Sequence, residues 1–160
     1  MSETKPLYLE DVAVGDRYVS REYPLNAGQI KDFAGAFDPQ PFHLDEAAAE
    51  ASFFGALAAS GWHTAAITMR LMVESVPFAD GLIGASVELS WPRPVRPGDT
   101  LHVESVITEI RPSRSKPDRG LVSLQSETFN QKGETVQNLR SQLLLFRGPE
   151  EKTANAGSRG

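Results

Sequence analysis

Cysteine is absent from this sequence of 160 residues. Disulfide bonds and thiolate metal sites are therefore excluded. With one closely spaced Asp–His pair and no cysteine, no set of side chains reaches the ligand count of a metal site. The lack of cysteine also fits a cytoplasmic protein, which is the location we expect.

Long apolar segments are absent as well. No run approaches the roughly 20 residues that a membrane-spanning helix needs, and residues 1–12 contain no apolar segment of the signal-peptide type. Basic residues are not in excess, since 16 Lys and Arg face 21 Asp and Glu, a formal net charge of −5. We therefore expect neither nucleic acid nor a membrane as a partner. No glycine-rich phosphate loop or dinucleotide-binding fingerprint occurs.

The chain does contain enough apolar material for one core. Hydrophobic residues make up 40% of the sequence, and the length is that of one ordinary domain. We expect this domain to span residues 1–148. Residues 149–160 are polar and include glycine, and we expect them to form a disordered C-terminal tail.

The first half of the sequence predicts helices. Asn26 can cap a helix over residues 27–37, where apolar residues recur at helical spacing. Asp45 is a better candidate for a helix cap than for a catalyst, and a short alanine-rich helix follows it. The pattern from Gly61 to Val76 is apolar over most of its circumference, so it predicts a buried helix. Its apolar stripe consists of Trp62, Ala65, Ala66, Met69, Met72 and Val73, widened by Ile67 and Leu71.

The second half has the composition of strands. Val, Leu, Ile and Thr are concentrated in residues 85–89, 100–110, 121–129 and 136–146, with turn sequences between them. A turn and a first strand are expected within residues 12–24. Helices followed by antiparallel strands favour an α+β domain. A sheet wrapped around the buried helix would be economical packing, but the pattern also fits a flat sheet with helices on one face.

One short segment combines an acid with a histidine. Asp38 and His43 lie five residues apart, and Pro39 and Pro41 make the loop between them stiff, because proline fixes φ. A fixed carboxylate beside an imidazole suits general acid–base chemistry on a water molecule. The same spacing is also typical of a capping Asp, a turn and a half-buried His.

This segment resembles the hydratase motif of MaoC-like proteins, the family of the (R)-specific enoyl-CoA hydratases. The family motif reads F-A, three residues, then D-x-N-P-x-H-x-D, and residues 33–45 read F-A-G-A-F-D-P-Q-P-F-H-L-D. Residues 59–63, A-S-G-W-H, resemble the H-G-M segment that opens the family's central helix. Residues 96–101, R-P-G-D-T-L, resemble its V-x-x-G-D-x-L turn. The likeness covers about residues 10–147, in the same order.

The resemblance implies an α+β hot-dog fold, in which an antiparallel sheet wraps around a long central helix, and a homodimer or higher homo-oligomer. It also implies reversible syn addition of water to a trans-2-enoyl-CoA, which gives a (R)-3-hydroxyacyl-CoA. Asp38 and His43 match the catalytic pair. Gly61 matches the glycine whose N–H binds the thioester oxygen, a role that suits a helix N-terminus. No cofactor is implied, because coenzyme A is part of the substrate.

Two positions depart from the family pattern. Gln40 stands where Asn is usual, which keeps the amide but changes its reach by one methylene, and Ser60 stands where His is usual. With Trp62 and His63, they are candidates to bind substrate. Trp62 fits either a core position or the wall of an acyl pocket. His63 fits the pocket, or a helix start that faces solvent or a backbone carbonyl.

Two features outside the motif can be interpreted without a role in catalysis. His102 alternates with apolar neighbours in a predicted strand, so we expect it on the polar surface. Residues 111–119 hold four basic side chains. They form a solvated hairpin loop or contact the phosphates of coenzyme A.

Two other functions remain open from the sequence. Hot-dog folds also host thioesterases, since a fold does not determine the chemistry. A non-catalytic acyl-CoA-binding module is the other alternative. The Asp38-x4-His43 motif favours the hydratase, because a binding module needs neither residue.

Overall fold

The computed structural model describes residues 5–149. From residue 150 on, the predicted disordered tail lies outside the described residues. Within residues 5–149, no helix has the length and apolar character needed to cross a lipid bilayer. The helical elements are a 3₁₀ turn (Leu9–Asp11), α1 (Ala27–Phe37), α2 (Pro41–Leu44), α3 (Glu46–Glu50) and α4 (Gly61–Ser75).

Two of the predicted helices begin with the caps that the sequence indicates. The side chain of Asn26 accepts a hydrogen bond from the N–H of Gln29 at 2.8 Å, and the side chain of Gln29 accepts one from the N–H of Asn26 at 2.9 Å. This reciprocal capping box fixes the start of α1. Asp45 accepts a hydrogen bond from the N–H of Ala48 at the start of α3. Both helix predictions are confirmed.

Six antiparallel strands form one sheet, and the strands predicted for the second half of the chain are confirmed. They are β1 (Arg17–Val19), β2 (Tyr23–Pro24), β3 (Ile83–Ser90), β4 (Thr100–Pro112), β5 (Arg119–Phe129) and β6 (Thr135–Phe146). The strand order is β1-β4-β5-β6-β3, and β2 also pairs with β4.

The sheet wraps around α4, and this is the hot-dog arrangement expected above. Buried and partly exposed side chains alternate along β5 and along most of β4, so one face of each strand packs inward. Val103 and Ile107 on that inner face belong to the same core as Ile67 and Leu71 of α4. Burial of these apolar side chains is the main force that holds the helix against the sheet.

The prediction that α4 is buried over most of its circumference is wrong for its outer face. Trp62, Met69 and Val73 belong to the predicted stripe, yet they are 60%, 41% and 57% exposed. The inner face instead includes Thr68, whose hydroxyl lies 2.6 Å from that of Thr128 on β5. The sheet therefore supplies a partner for the polar side chain that α4 buries. Periodicity detects apolar residues but does not choose which of them face the sheet.

Strand β3 forms one edge of the sheet. Among the described strands it pairs with β6 alone, and most of its side chains, including Val87, are exposed. An edge strand has one row of backbone N–H and C=O groups without a strand partner.

Candidate active site

A cavity of about 720 Å³ opens where the start of α4 meets the segment from α1 to α3 and the chain that follows β3. Both members of the predicted pair, Asp38 and His43, line this cavity. The other lining residues are Gln40, Phe42, Phe53, Phe54, Ala59, Gly61, Trp62, Thr64, Trp91, Pro92, Arg93, Pro94, Val95 and Arg96.

Asp38 lies at the C-terminal end of α1, where its N–H donates to the carbonyl of Ala34 at 2.8 Å. Its carboxylate is held from two sides. Oδ1 accepts a hydrogen bond from Nε2 of Gln40 at 2.6 Å, and Oδ2 accepts one from Oγ of Ser60 at 2.7 Å. Both departures from the family pattern therefore contact Asp38 and orient its side chain.

These contacts also determine the charge of Asp38. Burial by itself would raise the pKa of this carboxyl group. The hydrogen bonds from Ser60 and Gln40, with a smaller electrostatic contribution from His43, together outweigh burial, so the pKa of Asp38 lies below its ordinary value. Asp38 is therefore ionised at neutral pH and acts only as a hydrogen-bond acceptor.

His43 lies on α2, a single helical turn, where the sequence predicted a stiff loop. The loop prediction was wrong because proline is tolerated in the first turn of a helix, and Pro41 is the first residue of α2. The histidine is only 4% exposed. Its Nδ1 lies 2.6 Å from the carbonyl oxygen of Ala58, and its Nε2 lies 3.3 Å from Oδ2 of Asp38.

The contact with Ala58 selects the tautomer of His43. A carbonyl oxygen can only accept, so Nδ1 carries a proton and donates it to that bond. In the neutral ring, Nε2 is then unprotonated and lies beside the carboxylate of Asp38. Two acceptors side by side can each take one hydrogen of the same water molecule. This is an arrangement from which general acid–base chemistry can start.

The start of α4 contributes a backbone donor. Ser60 caps the helix, because its Oγ accepts the N–H of Trp62 at 3.2 Å while donating to Asp38. The carbonyl of Ser60 accepts the N–H of Thr64 at 3.1 Å. The first N–H groups of a helix have no partner within it, and that of Gly61, a cavity residue, is taken by none of these bonds. With the positive end of the helix dipole behind it, this N–H suits a partly negative oxygen.

Trp91 is a cavity residue that the sequence did not single out. Its indole lies against Gly61, where an added Cβ would come within 2.7 Å of Cε2 of the ring. It meets the ring of Trp62 edge to face, with 5.5 Å between centroids. The sequence marks this position only as a tryptophan followed by Pro92 just past the end of a predicted strand. That pattern does not predict which helix the ring contacts.

His63 is not brought to the cavity, in contrast to its expected role in substrate binding. It is 7% exposed on the inner side of α4, and its ring stacks on that of Phe33 with 4.5 Å between centroids. Its Nδ1 has no hydrogen-bond partner among the described residues, and burial lowers its pKa. His63 is therefore a neutral packing residue between α1 and α4.

His102 and the basic residues of 111–119 do not line the cavity. His102 is partly exposed on the sheet and lies 3.1 Å from Glu104, in agreement with the expected surface position. Residues 111–119 form the hairpin between β4 and β5, at the opposite end of β4 from the cavity residue Arg96. Within residues 5–149, no three histidine or acidic side chains form a group that could hold a metal ion.

Comparison with known proteins gives one family. Residues 11–128 match the family described as MaoC like domain. The crystal structure of the MaoC-like dehydratase from Rhodospirillum rubrum is 61% identical, covers 89% of this chain and 99% of that one, and superposes with a TM-score of 0.88. The 3-hydroxybutyryl-CoA dehydratase of Methylorubrum extorquens is 29% identical over 117 residues, 72% of this chain and 73% of that protein. The unliganded R-hydratase PhaJ1 from Pseudomonas aeruginosa is 26% identical, with 89% and 88% coverage and a TM-score of 0.73.

Proposed function

This chain belongs to the MaoC-like domain family, and we propose that it is a hydro-lyase that acts on an acyl thioester. The reaction is the reversible syn addition of water to a trans-2-enoyl-CoA, which gives a (R)-3-hydroxyacyl-CoA. A relative named 3-hydroxybutyryl-CoA dehydratase supports this substrate class, and one named R-hydratase supports this type of reaction. Coenzyme A is part of the substrate, and we propose no other cofactor.

The observation that carries the proposal is the 3.3 Å approach of His43 Nε2 to Asp38 Oδ2 in a cavity that Gly61 also lines. A water molecule held by both side chains donates one hydrogen to each acceptor, which directs its oxygen lone pair away from them and toward substrate. The hydrogen bonds from Ser60 and Gln40 restrict the rotation of the carboxylate, which supports this role.

Hydration then proceeds with balanced proton transfers. The water oxygen bonds to C3, and the pair takes a proton from it. The electrons of the C2–C3 double bond move onto the thioester, whose oxygen becomes negative and is stabilised by the N–H of Gly61. The pair returns a proton to C2 on the same face, which gives syn addition. Because coupled groups share their protons, the two transfers belong to Asp38 and His43 as one unit.

The test is a spectrophotometric assay of crotonyl-CoA hydration, in which absorbance of the conjugated thioester is lost. Asp38→Asn and His43→Ala should each lower kcat by about 10²–10⁴-fold, the usual contribution of a positioned acid or base. The double variant should be little worse than either single variant, because the two act together. Asp32→Asn, on the exposed side of α1, and His102→Ala are the matched controls and should keep wild-type rates.

Three results would contradict the proposal in different ways. Near-wild-type hydration in both single variants would remove Asp38 and His43 from the mechanism. Release of free coenzyme A without loss of the double bond would indicate a thioesterase. Tight binding of acyl-CoA without turnover of any enoyl-CoA would indicate a binding module.

Hydration in D₂O, followed by NMR of the product, separately tests the syn geometry.

We also propose a homodimer that forms through the edge strand β3. Within residues 5–149, one row of backbone groups on β3 has no strand partner, and Val87 is exposed there. The outer face of α4 adds exposed apolar side chains, including Met69 and Val73. Sedimentation should give about twice the chain mass of 17.4 kDa, and Val87→Lys should shift the protein toward monomer. A wild-type monomer at micromolar concentration would refute this arrangement.

A further inference from the structure

The cavity extends only a short way along the inner face of α4. It includes Gly61 and, nearly one turn further, the buried Thr64, but it does not include Thr68 of the next turn. One helical turn rises about 5.4 Å. The space beside the proposed oxygen donor is therefore shallow in the direction of the core.

A chain of buried hydrogen bonds occupies the space beyond. Nε2 of the fully buried Gln137 donates to Oγ1 of Thr68 at 3.0 Å, and that hydroxyl lies 2.6 Å from Oγ1 of Thr128. On the cavity side, Nε1 of Trp91 donates to Oε1 of Gln137 at 2.8 Å. Trp91 lines the cavity, whereas Gln137, Thr68 and Thr128 do not. The indole therefore separates the cavity from the interior between α4 and the sheet.

The position of this indole is fixed from two directions. One face lies against Gly61, within the distance at which even a Cβ would collide, and the ring nitrogen is tied to Gln137. Gln137 is in turn held by Thr68, so the buried polar groups satisfy one another. Although Trp91 is 40% exposed, its ring cannot move aside for an extra methylene without breaking its part-buried bond to Gln137, which would leave the amide oxygen of a fully buried residue without this donor.

We infer that Trp91, held by Gln137, limits the substrate to short-chain enoyl thioesters. This inference rests on the proposed hydratase function. With the thioester oxygen at Gly61, coenzyme A leaves through the open side of the cavity, where Phe53 is 98% exposed. The acyl carbons beyond C3 then extend inward toward Thr64, and the wall of Trp91 stops them after about one helical turn. Trp91 is thus a specificity-determining residue.

The experiment compares kcat/KM for crotonyl-CoA with that for trans-2-octenoyl-CoA. Wild type should prefer crotonyl-CoA by at least about tenfold, because one methylene that does or does not fit an apolar pocket changes kcat/KM by about 10–200-fold. Trp91→Ala should raise the octenoyl-to-crotonyl ratio by at least about tenfold. Gln137→Ala, which removes the anchor and leaves the ring, should shift the ratio in the same direction. Trp91→Phe keeps a ring but also loses the N–H that anchors it, so it should give a smaller shift in the same direction as Trp91→Ala. Gln142→Ala, at a partly exposed glutamine of the same strand that bonds to Ser86, is the matched control and should keep the wild-type ratio.

The outcomes separate this inference from the proposed function. A wild type that hydrates both substrates equally well, or Trp91→Ala and Gln137→Ala variants that both keep the wild-type ratio, would overturn the inference. If Trp91→Ala does not fold by circular dichroism, Gln137→Ala decides alone. If wild type hydrates neither substrate, the proposed function fails. The dissociation constants of butyryl-CoA and octanoyl-CoA, measured by calorimetry on the same variants, then test the length limit by themselves.

Discussion

Replacing Gly61 with alanine adds one methyl group where the structure has no room for it. The new Cβ would lie 2.7, 2.9 and 3.0 Å from three ring carbons of Trp91. Carbon atoms in favourable contact are about 3.5–4.0 Å apart, so the ring would have to move by about 1 Å. That movement strains the 2.8 Å hydrogen bond from Trp91 to Gln137.

The expected loss of stability is the difference between two effects. Overpacking a well-packed site typically costs about 1–3 kcal/mol, whereas Gly→Ala in the middle of a helix gains about 0.5–1 kcal/mol, of which only a part applies to Gly61 because it is the first residue of α4. The free energy of unfolding should therefore fall by about 1–2 kcal/mol. In a protein of this size each kcal/mol shifts Tm by about 2–4 °C, so Tm should drop by about 2–8 °C.

Gly35 offers a matched control with the opposite expected sign. It also lies in a helix, α1, but apart from its chain neighbours and the backbone of its own helix no described heavy atom lies within 4 Å of an added Cβ. Gly35→Ala should show the helix preference alone and raise stability by about 0.5–1 kcal/mol. The same substitution is thus expected to destabilise at one position and to stabilise at the other.

Thermal unfolding followed by circular dichroism measures both changes. The single variant Trp91→Leu and the double variant Gly61→Ala/Trp91→Leu complete a double-mutant cycle with wild type and Gly61→Ala. If the collision with the indole is the cause, the added methyl group should cost little in the Trp91→Leu background, which gives a coupling energy of about 1 kcal/mol or more. A Gly61→Ala protein as stabilised as Gly35→Ala would refute the reasoning, as would a cycle without coupling.

Three further substitutions test the surroundings of the site. Ser60→Ala removes the cap of α4, which costs about 0.5–2 kcal/mol, and it removes a hydrogen bond that lowers the pKa of Asp38. Unfolding in urea should show the loss, and the acid limb of the kcat/KM profile should move to higher pH; an unmoved limb would argue against Asp38 as its source. Because burial lowers the pKa of His63, the unfolded chain binds its proton more readily, so stability should decline as pH falls below about 6.5. His63→Phe should remove that part of the decline. Urea unfolding at pH 7.5 and 5.5 measures the decline in both proteins, and an equal decline in His63→Phe would contradict the assignment to His63. Arg96→Lys cannot reproduce the planar fork that donates to three carbonyls of residues 54–57. The free energy of unfolding should therefore fall by about 1.5–3 kcal/mol and lower Tm accordingly. An unchanged Tm would show that these bonds do not contribute to stability.

Several elements of this fold could be predicted from short stretches of sequence. Asn26 and Asp45 cap helices because a capping side chain bonds to an N–H group only two or three residues away. The start of α4 at Gly61 and the strands of the second half follow from periodicity, which is equally local. The order of three short motifs was sufficient to predict the family and the hot-dog fold. The catalytic roles of Asp38 and His43 stay a proposal that kinetics must test.

The remaining features depend on contacts between distant parts of the chain. Ser60 reaches Asp38 across 22 positions, and Trp91 reaches Gln137 across 46. No local pattern encodes such pairs, because they form only when helix and sheet pack together. For the same reason, periodicity could not predict that Trp62 faces outward or that His63 stacks between two helices. Residue spacing along the chain thus accounts for the helices, the strands and the motif, whereas long-range packing accounts for the shape of the cavity and the depth to which it reaches.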